Sequence, residues 1–484
     1  MKKRTFLGIV GMIVFIATSI LTNELFASLG ITLAAAWITA GSEYNGKETL
    51  DILLRPLFVG TQPKDMGIRI IDTKKAGSVK LTVFDTLTKI LMPYASGWQG
   101  GSAASKRQKK FTLAEFKAEA SYEKHDYYDT ILEQLTNRMG VSQNDISGTK
   151  IHEAEKAVFM NGISYDIWRY FWLGDTDQKH YEAGTYPDGT TTYVVGDENK
   201  YYSTVDGIWK WIFDNDAAYS SATVNEVRRV TIANGAVAQS EKQTLSGTTA
   251  GTITITVYGK DYDEAFDTDV ATTVTNWHTS HAAEFATLNI TVTDDLSAAL
   301  TFTSSIAGKP FTLVTTDAGT NGTWTESAVT ANTAPADLTT DEALTTFKTM
   351  LRNSTKELKS LQRSGKLKMY CTDSMIENYV DTLTDDGTEA GHRNIVDGVQ
   401  RYYWNGIPLI PMDIDGPLAA DFVGEYPHRA ILTVADNLCL VISQANGWAE
   451  TAFWFDRNNN ENRQRTQFEF GTGVVMPELM TVAY

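Results

Sequence analysis

From Val230 to Leu351 the chain contains no arginine, although Arg228 and Arg229 stand just before that stretch and Arg352 just after it. Inside it the composition turns to Thr, Ala and Gly. "GTITITVYG" (Gly251–Gly259) alternates strictly, which is the period-2 pattern of a half-buried strand. "VTNWHTSHAAEFATLN" (Val274–Asn289) suits one short helix, and "ITVTDD" and "ALTFTSSIAGKPFTLVTT" read as strands with turn residues between them. "TANTAP" (Thr330–Pro335) has the make-up of a linker. These features predict a small Thr-rich α+β domain over residues 236–335, inserted between two parts of a larger one.

The frame on either side alternates helix and strand. Thr149–Leu173 is predicted as a long helix with Ile151, Ala154 and Val158 on one face and an aromatic end, "YDIWRYFWLGD". Asp341–Ser364 reads as a single helix through Leu344, Phe347, Leu351, Leu358 and Leu361, stopped by Gly365 in the C′ position. The strand "KLKMYCT" (Lys366–Thr372) and the helix Asp373–Leu383 follow. After them come mainly strand patterns: "YYWNGIPLIPMD", "RAILTVADNLCLVI", "WAETAFWFD", "RQRTQFEFGTGVVM" and "ELMTVAY". In the first of these, Asn405-Gly406 supplies a hairpin turn. Pro408 and Pro411 are expected to confine the next strand to an edge or an irregular position. Nearer the N-terminus, "GIRIIDTKKAGSVKLTV" (Gly67–Val83) reads as two strands with a glycine at the tip between them. The fold class is α+β.

The bulk numbers fit a large folded chain. Of 484 residues, 42% are apolar, with 20 Phe, 21 Tyr and 11 Trp, so a sizeable core can be buried and disorder is excluded as the main state. The formal net charge of −17 argues against a protein that grips nucleic acid through its phosphates. Cys371 and Cys439 are the only cysteines and stand in no CxxC or Cys/His cluster, so they read as buried thiols. At the N-terminus, Lys2, Lys3 and Arg4 precede an apolar run from Phe6 to Ile20, and "LFAS" (Leu25–Ser28) has the form of a cleavage site. Residues 1–41 are a secretory signal or anchor, or an apolar arm that lies on a neighbouring subunit.

No catalytic constellation emerges. The chain has no G-x-S-x-G, no GxxxxGK[ST], no GxGxxG opening a helix and no HExxH. "IHEAEK" (Ile151–Lys156) lacks a second His, and His278 and His281 lack a third ligand nearby and read as a solvated helix face. "DRNNNENRQRTQ" (Asp456–Gln467) resembles a calcium loop through Asp456, Asn458 and Asn460. However, Glu461 stands where the sharp turn needs Gly and Gln467 where a bidentate Glu is needed, so a polar hairpin is the better reading. "SKRQKKF" (Ser105–Phe111) is a local basic cluster, read as a solvated loop. No catalytic, cofactor-binding or metal-ligating residue is assigned, no cofactor is implied, and the chain is not read as an enzyme.

Several separated stretches carry a family resemblance. "EYNGKETLDILLRPLF" (Glu43–Phe58), "VDGIWKWIF" (Val205–Phe213), "LKMYCTDSMIENY" (Leu367–Tyr379), "YWNGIPLIPMDID" and the close "AILTVADNLCLVI…FEFGTGVVMPELMTVAY" resemble the major capsid proteins of tailed bacteriophages. Those have the Hong Kong 97-type fold, and the likeness is to members from phages of Bacteroidetes, the crAss-like group included. The resemblance implies an N-terminal arm, an extended β-hairpin arm from within Gly67–Lys110, and a peripheral domain on a long spine helix, over residues 42–235. It also implies the inserted domain over 236–335 and an axial domain with completion of the peripheral one over 336–484. It implies self-association into hexamers and pentamers that close an icosahedral shell around packaged double-stranded DNA. The other partners would be scaffold, portal and decoration proteins, with DNA met only through non-specific inner-surface contacts. The location implied is the virion, and a membrane is involved only if residues 1–41 are an anchor. The competing reading takes the signal-like start at face value: a secreted or surface-anchored bacterial adhesin whose Thr-rich domain binds sugar or protein.

Overall fold

The computed structural model describes residues 66–73, 77–84, 94, 96–97, 106–123, 150–186, 190–218, 227–232, 235–385, 387, 393–396, 399–443, 452–459 and 461–484. The segment 1–41 and "EYNGKETLDILLRPLF" lie outside them. The chain divides into a larger unit (56–118, 159–452 and 465–484) and a smaller one (1–55, 119–158 and 453–464).

The larger unit is organised on an eight-stranded mixed sheet. Its strands are β7 (Asp216–Ala218), β8 (Val227–Val230), β16 (Leu367–Cys371), β17 (Arg393–Val396), β18 (Val399–Trp404), β19 (Ile407–Pro411), β20 (Ala430–Val434) and β24 (Met480–Ala483). Their order is β17-β18-β19-β16-β20-β24-β8-β7. β16, β20 and β24 are the buried centre, and they are apolar nearly throughout because neither face meets water. Helices α4 (Glu342–Asn353), α5 (Lys356–Gln362) and α6 (Asp373–Asp385) supply Phe347, Met350, Leu358, Met375 and Tyr379 to the core over this sheet.

The single helix expected over Asp341–Ser364 is therefore two. Ser354 ends the first by turning its hydroxyl back to Met350 O (2.7 Å) and across to Thr481 Oγ1 (2.9 Å). The Thr355 side chain then caps the second by accepting from Leu358 N at 3.2 Å. The break costs the apolar face little, since Phe347 and Leu358 are both fully buried. Gly365 closes the pair at φ +68°.

Asn405 and Gly406 have φ of 49° and 78°, the two positive values of a type I′ turn, and they join β18 to β19. β19 is not at an edge, however. It lies between β18 and β16. Pro408 is tolerated there because it faces Tyr403, one pair beyond Trp404/Ile407, where an antiparallel ladder asks for no hydrogen bond. Pro411 is the last residue of the strand, opposite Cys371.

A second sheet places β21 (Leu438–Ser443) between β1 (Arg69–Thr73), which is parallel to it, and β23 (Glu461–Val474), which is antiparallel. β4 (Ala114–Glu123) also pairs with β23. The two strands read within Gly67–Val83 exist, but they do not pair with each other. β1 joins β21, and β2 (Ser78–Phe84) pairs with β3 (Lys106–Thr112) over seven residues. The basic cluster expected as a loop is thus strand β3.

Helix α1 (Lys150–Leu173) runs into its aromatic end as expected. The buried apolar positions are Phe159, Ile163, Ile167 and Tyr170 to Leu173. Val158 is 46% exposed, so the face assigned through it is not the apolar one, and the side chains of Ile151 and Ala154 lie outside the described set. Short strands β5 (Gly184–Thr185) and β6 (Thr192–Tyr193) and helix α2 (Ile208–Asn215) follow.

The antiparallel bridge Val237/Thr333 brackets a stretch of the larger unit, the module. It contains β9 (Ser240–Ser246), β10 (Ala250–Val257), β11 (Lys260–Ala265), α3 (Val270–Thr287), β12 (Ile290–Asp294), β13 (Ala299–Ser304), β14 (Leu313–Thr320) and β15 (Thr323–Thr330). The strands make two sheets, β11-β10-β14 and β12-β13-β9-β15. The alternation in "TITITV" becomes the buried row Ile253, Ile255 and Val257 on one face of β10. Helix α3 starts four residues earlier than the sequence suggests because Asp269 caps it, accepting from Thr272 N at 2.9 Å. Trp277 and Phe285 fill the module's centre at 0% exposure.

The smaller unit, where described, comprises the end of β4, the start of α1, β22 (Ala452–Asp456) and the first residues of β23. β22 and β23 are linked by the polar turn of "DRNNNENRQ".

Candidate functional site

The residues that invited a metal are otherwise engaged. His278 Nε2 lies 3.1 Å from Val292 O and His281 Nε2 lies 3.1 Å from Asp263 O, so both rings tie α3 to the strands on either side of it. Asp456 accepts from Asn458 N at 2.9 Å and pairs with Arg463 at 2.8 Å, which makes the calcium-like loop a hairpin turn. The side chain of His152 lies outside the described residues. Among those residues no group of three or more His, Cys, Asp or Glu could hold a metal, and no helix is long and apolar enough to cross a membrane. Cys371 and Cys439 are buried free thiols, and burial pushes both thiol pKa values up, that of Cys439 to about 12.

What the fold does present is a two-stranded arm. One end of β2–β3 is anchored. Phe111 is buried with Leu113, Cys439 and Val441, and Val79 and Leu81 pack against them. Leu113 N donates to Gly77 O at 3.0 Å, and Gly77 N donates to Glu469 Oε2 at 3.0 Å. Arg107 pairs with Glu478 at 2.6 Å, and the Lys109 ammonium lies 4.9 Å over the Trp211 ring, where burial lowers its pKa. At the far end Arg107, opposite Val83, is the residue tied to Glu478, and only the last pair, Phe84 with Lys106, lies beyond that contact. Phe84 is 69% exposed, and Tyr94, in the connection, is 96% exposed. Lys80 and Lys110 are direct cross-strand partners, and both are exposed. Like charges placed opposite each other weaken a ladder, and a lone two-stranded ribbon is marginal in water.

A second feature lies at the joint between the module and the frame. Gly308 and Gly424 both have positive φ (92° and 77°), and their backbones meet closely. A Cβ on Gly424 would stand 2.3 Å from Gly308 O. Beside them Lys309 pairs with Glu425, both nearly buried, and the Lys309 ammonium sits 3.8 Å over the Tyr181 ring.

Next to this joint is a cavity of about 300 Å³, lined in part by Trp209, Asp216, Arg229, Glu425, Arg429 and Tyr484. Arg429 is 1% exposed. Its Nε donates to Tyr426 O at 2.7 Å and its Nη2 to Glu425 O at 2.9 Å, and its guanidinium lies 5.1 Å over Trp209 and 5.3 Å over Phe213. Burial pulls its pKa down to about 10, against the pull of Glu425. Asp216 accepts from Tyr484 Oη at 2.7 Å and pairs with Arg229 at 3.2 Å. Lys210 meets Asp177, Asp214 and Asp175 at 2.8, 3.3 and 3.6 Å. Burial works against its charge, but the carboxylates outweigh that and raise its pKa. Sequence reasoning passed over this cluster. Its one local signal is Arg429 abutting the apolar run "AILTV", where a charge has little water to reach.

No family model matches the chain, and no curated protein does. Among solved structures it is similar to the capsid of the cyanophage P-SCSP1u, at 8% identity and TM-score 0.39, with 91% of this chain and 92% of that one covered. It is similar to the capsid of the myovirus XM1, at 9% identity and TM-score 0.37, with 94% and 98% covered. It is also similar to the SrpI encapsulin complex of Synechococcus elongatus, at 7% identity and TM-score 0.39, with 94% and 95% covered.

Proposed function

We propose that this chain is a shell subunit, a major capsid protein that associates with copies of itself into hexamers and pentamers and closes an icosahedral shell around double-stranded DNA. The observation that carries the reading is the arm. β2–β3 leaves its apolar end residue Phe84 in water, sets Lys80 against Lys110, and belongs to no larger sheet among the described residues. Such a ribbon is completed by a surface from outside the subunit. With a net charge of −17, a second copy of this chain offers the carboxylates that its lysines lack.

In this reading α1 is the spine helix and the eight-stranded sheet is the core of the axial domain. The module within Val237–Thr333 stands on the subunit as an accessory domain. Scaffold, portal and decoration proteins would be further partners, and DNA would be met without sequence recognition. The subunit performs no reaction, and its place is the virion.

The test is assembly. Full-length protein is expected to form rings or closed particles by negative-stain microscopy. A variant in which residues 84–106 are replaced by a short Gly-Ser turn should keep its circular-dichroism spectrum and remain unassembled. Particles that form equally well without the arm would overturn the reading, as would a full-length chain that stays a monomer at high concentration.

A further inference from the structure

The hydrogen bonds around the cavity beside the joint do not balance, and the imbalance has a sign. The carboxylates on its wall are all engaged: Asp216 by Tyr484 and Arg229, Glu425 by Lys309, and Asp175 by Lys210 and by the backbone N–H of Asp177. The donors are not. Trp209 Nε1 and Arg229 Nε are buried without an acceptor among the described residues. Arg429 spends Nε and Nη2 on backbone carbonyls, and its Nη1 makes no hydrogen bond among the described residues. All three side chains line the same cavity of about 300 Å³, and Trp209 and Arg429 are each 1% exposed. Buried polar groups are nearly always satisfied, so a set of unmatched donors around one cavity describes an absent acceptor.

We infer that this cavity binds a small oxyanion, phosphate or carboxylate, through the Arg429 guanidinium with Trp209 Nε1–H and Arg229 Nε–H. A guanidinium offers parallel N–H groups that match two oxygens of either group. The aromatic rings of Trp209 and Phe213 hold the Arg429 plane in place. A pKa drawn down by burial is consistent with a cation that has no carboxylate in direct contact. The wall also includes Ser305 and Ile306 of the module and Phe422 and Glu425 of the frame, so the site lies where the two meet. The inference concerns the single subunit and stands apart from its assembly.

The test is isothermal titration of the full-length protein, in a chloride-poor buffer, with inorganic phosphate in one arm and acetate in the other. Saturation at one site per chain by either anion is expected, and the arm that saturates tells a tetrahedral from a planar oxyanion. Trp209→Phe keeps the ring and removes one donor, so binding should weaken about fivefold. Arg429→Lys keeps the charge and removes the fork, so binding should weaken about tenfold or more. Lys260→Gln, a change at a half-buried cation of the module outside the cavity wall, should leave it unchanged. Absence of saturation in both arms means that water alone fills the cavity and overturns the inference. Undiminished binding in Trp209→Phe and Arg429→Lys also overturns it. Should Arg429→Lys fail to give the wild-type circular-dichroism spectrum, Arg229→Lys and Trp209→Phe decide.

Discussion

The module and the arm solve the same problem in opposite ways. Between Val237 and Thr333 the chain buries a core, to which Val195 and Tyr181 of the frame also contribute: Ile253, Ile255, Val274, Trp277, Phe285 and Phe302 are all at 0% exposure. The β2–β3 ribbon buries one end and leaves Phe84 and Tyr94 in water. Both regions have good strand patterns, and in both, hydrogen bonds pair the strands, so secondary structure does not separate them. What separates them is where the apolar surface lies: inside the module it is covered, and at the far end of the arm it is left in water.

The largest effect expected from that difference concerns stability. Trp277→Ala removes a fully buried indole whose Nε1 donates to Tyr262 O at 3.0 Å, and should destabilise the protein by about 3–5 kcal/mol. Phe84→Ser should leave the melting temperature of the unassembled chain within about a degree, because an exposed side chain has little native burial to lose. Thermal melts of the two variants below the assembly concentration check the contrast. Equal losses would show that Phe84 is covered within its own subunit, and the comparison would collapse.

A smaller effect belongs to the joint. Glu425→Gln leaves Lys309 charged and nearly buried, and should cost about 3 kcal/mol, the low end for a broken buried pair, since Tyr181 still faces the ammonium. The double change Lys309→Met with Glu425→Leu should recover most of that loss, because a buried pair replaced by apolar groups of similar volume is close to neutral. A double variant as unstable as the single one would mean that the charge itself, and not its lack of a partner, holds the module to the frame.

The sequence showed local features well and distant partnerships poorly. The Asn405-Gly406 turn and the alternating strand at "TITITV" depend on a few neighbouring residues and are where the pattern puts them, while Gly365 stands one residue beyond the C′ position, since Arg363 is the C-cap. The hairpin proposed within Gly67–Val83 failed because nothing local states that β1 will prefer β21, whose residues lie far along the chain. The helix over Asp341–Ser364 was overextended because its apolar spacing continues through Ser354, while the break is set by a hydroxyl contact to Thr481. Pro408 misled for a similar reason: whether proline harms a ladder depends on which pair it occupies, and that is fixed by the register. The anion cavity draws on α2, β8 and the residues before β20, together with two turns of the module, so no contiguous motif announces it.

The smallest effect expected is a pH slope in the frame that the module lacks. Asp373, at the start of α6, has its pKa pushed up from 3.8 to about 6, first by burial and then by the nearby Asp415, Asp413 and Glu377. A carboxylic acid whose pKa is higher folded than unfolded holds its proton more tightly in the native state. Below about pH 3.8 both states are protonated and no penalty exists. Between 3.8 and about 6 the unfolded chain gives up the proton first, so stability falls as pH rises, and above about 6 the loss is constant. Asp295 in the module goes the other way, its pKa lowered by Lys242 and by backbone N–H groups, and its side chain lies in water, so it contributes little. Asp373→Asn should therefore flatten the melting temperature between pH 4 and 6 and raise it slightly at pH 7. The gain should be no more than a few degrees, since the site is partly solvated and an acidic residue in the first turn of a helix is itself favourable. A variant with the same slope as the parent would place the acid sensitivity elsewhere than in the carboxylates around Asp373.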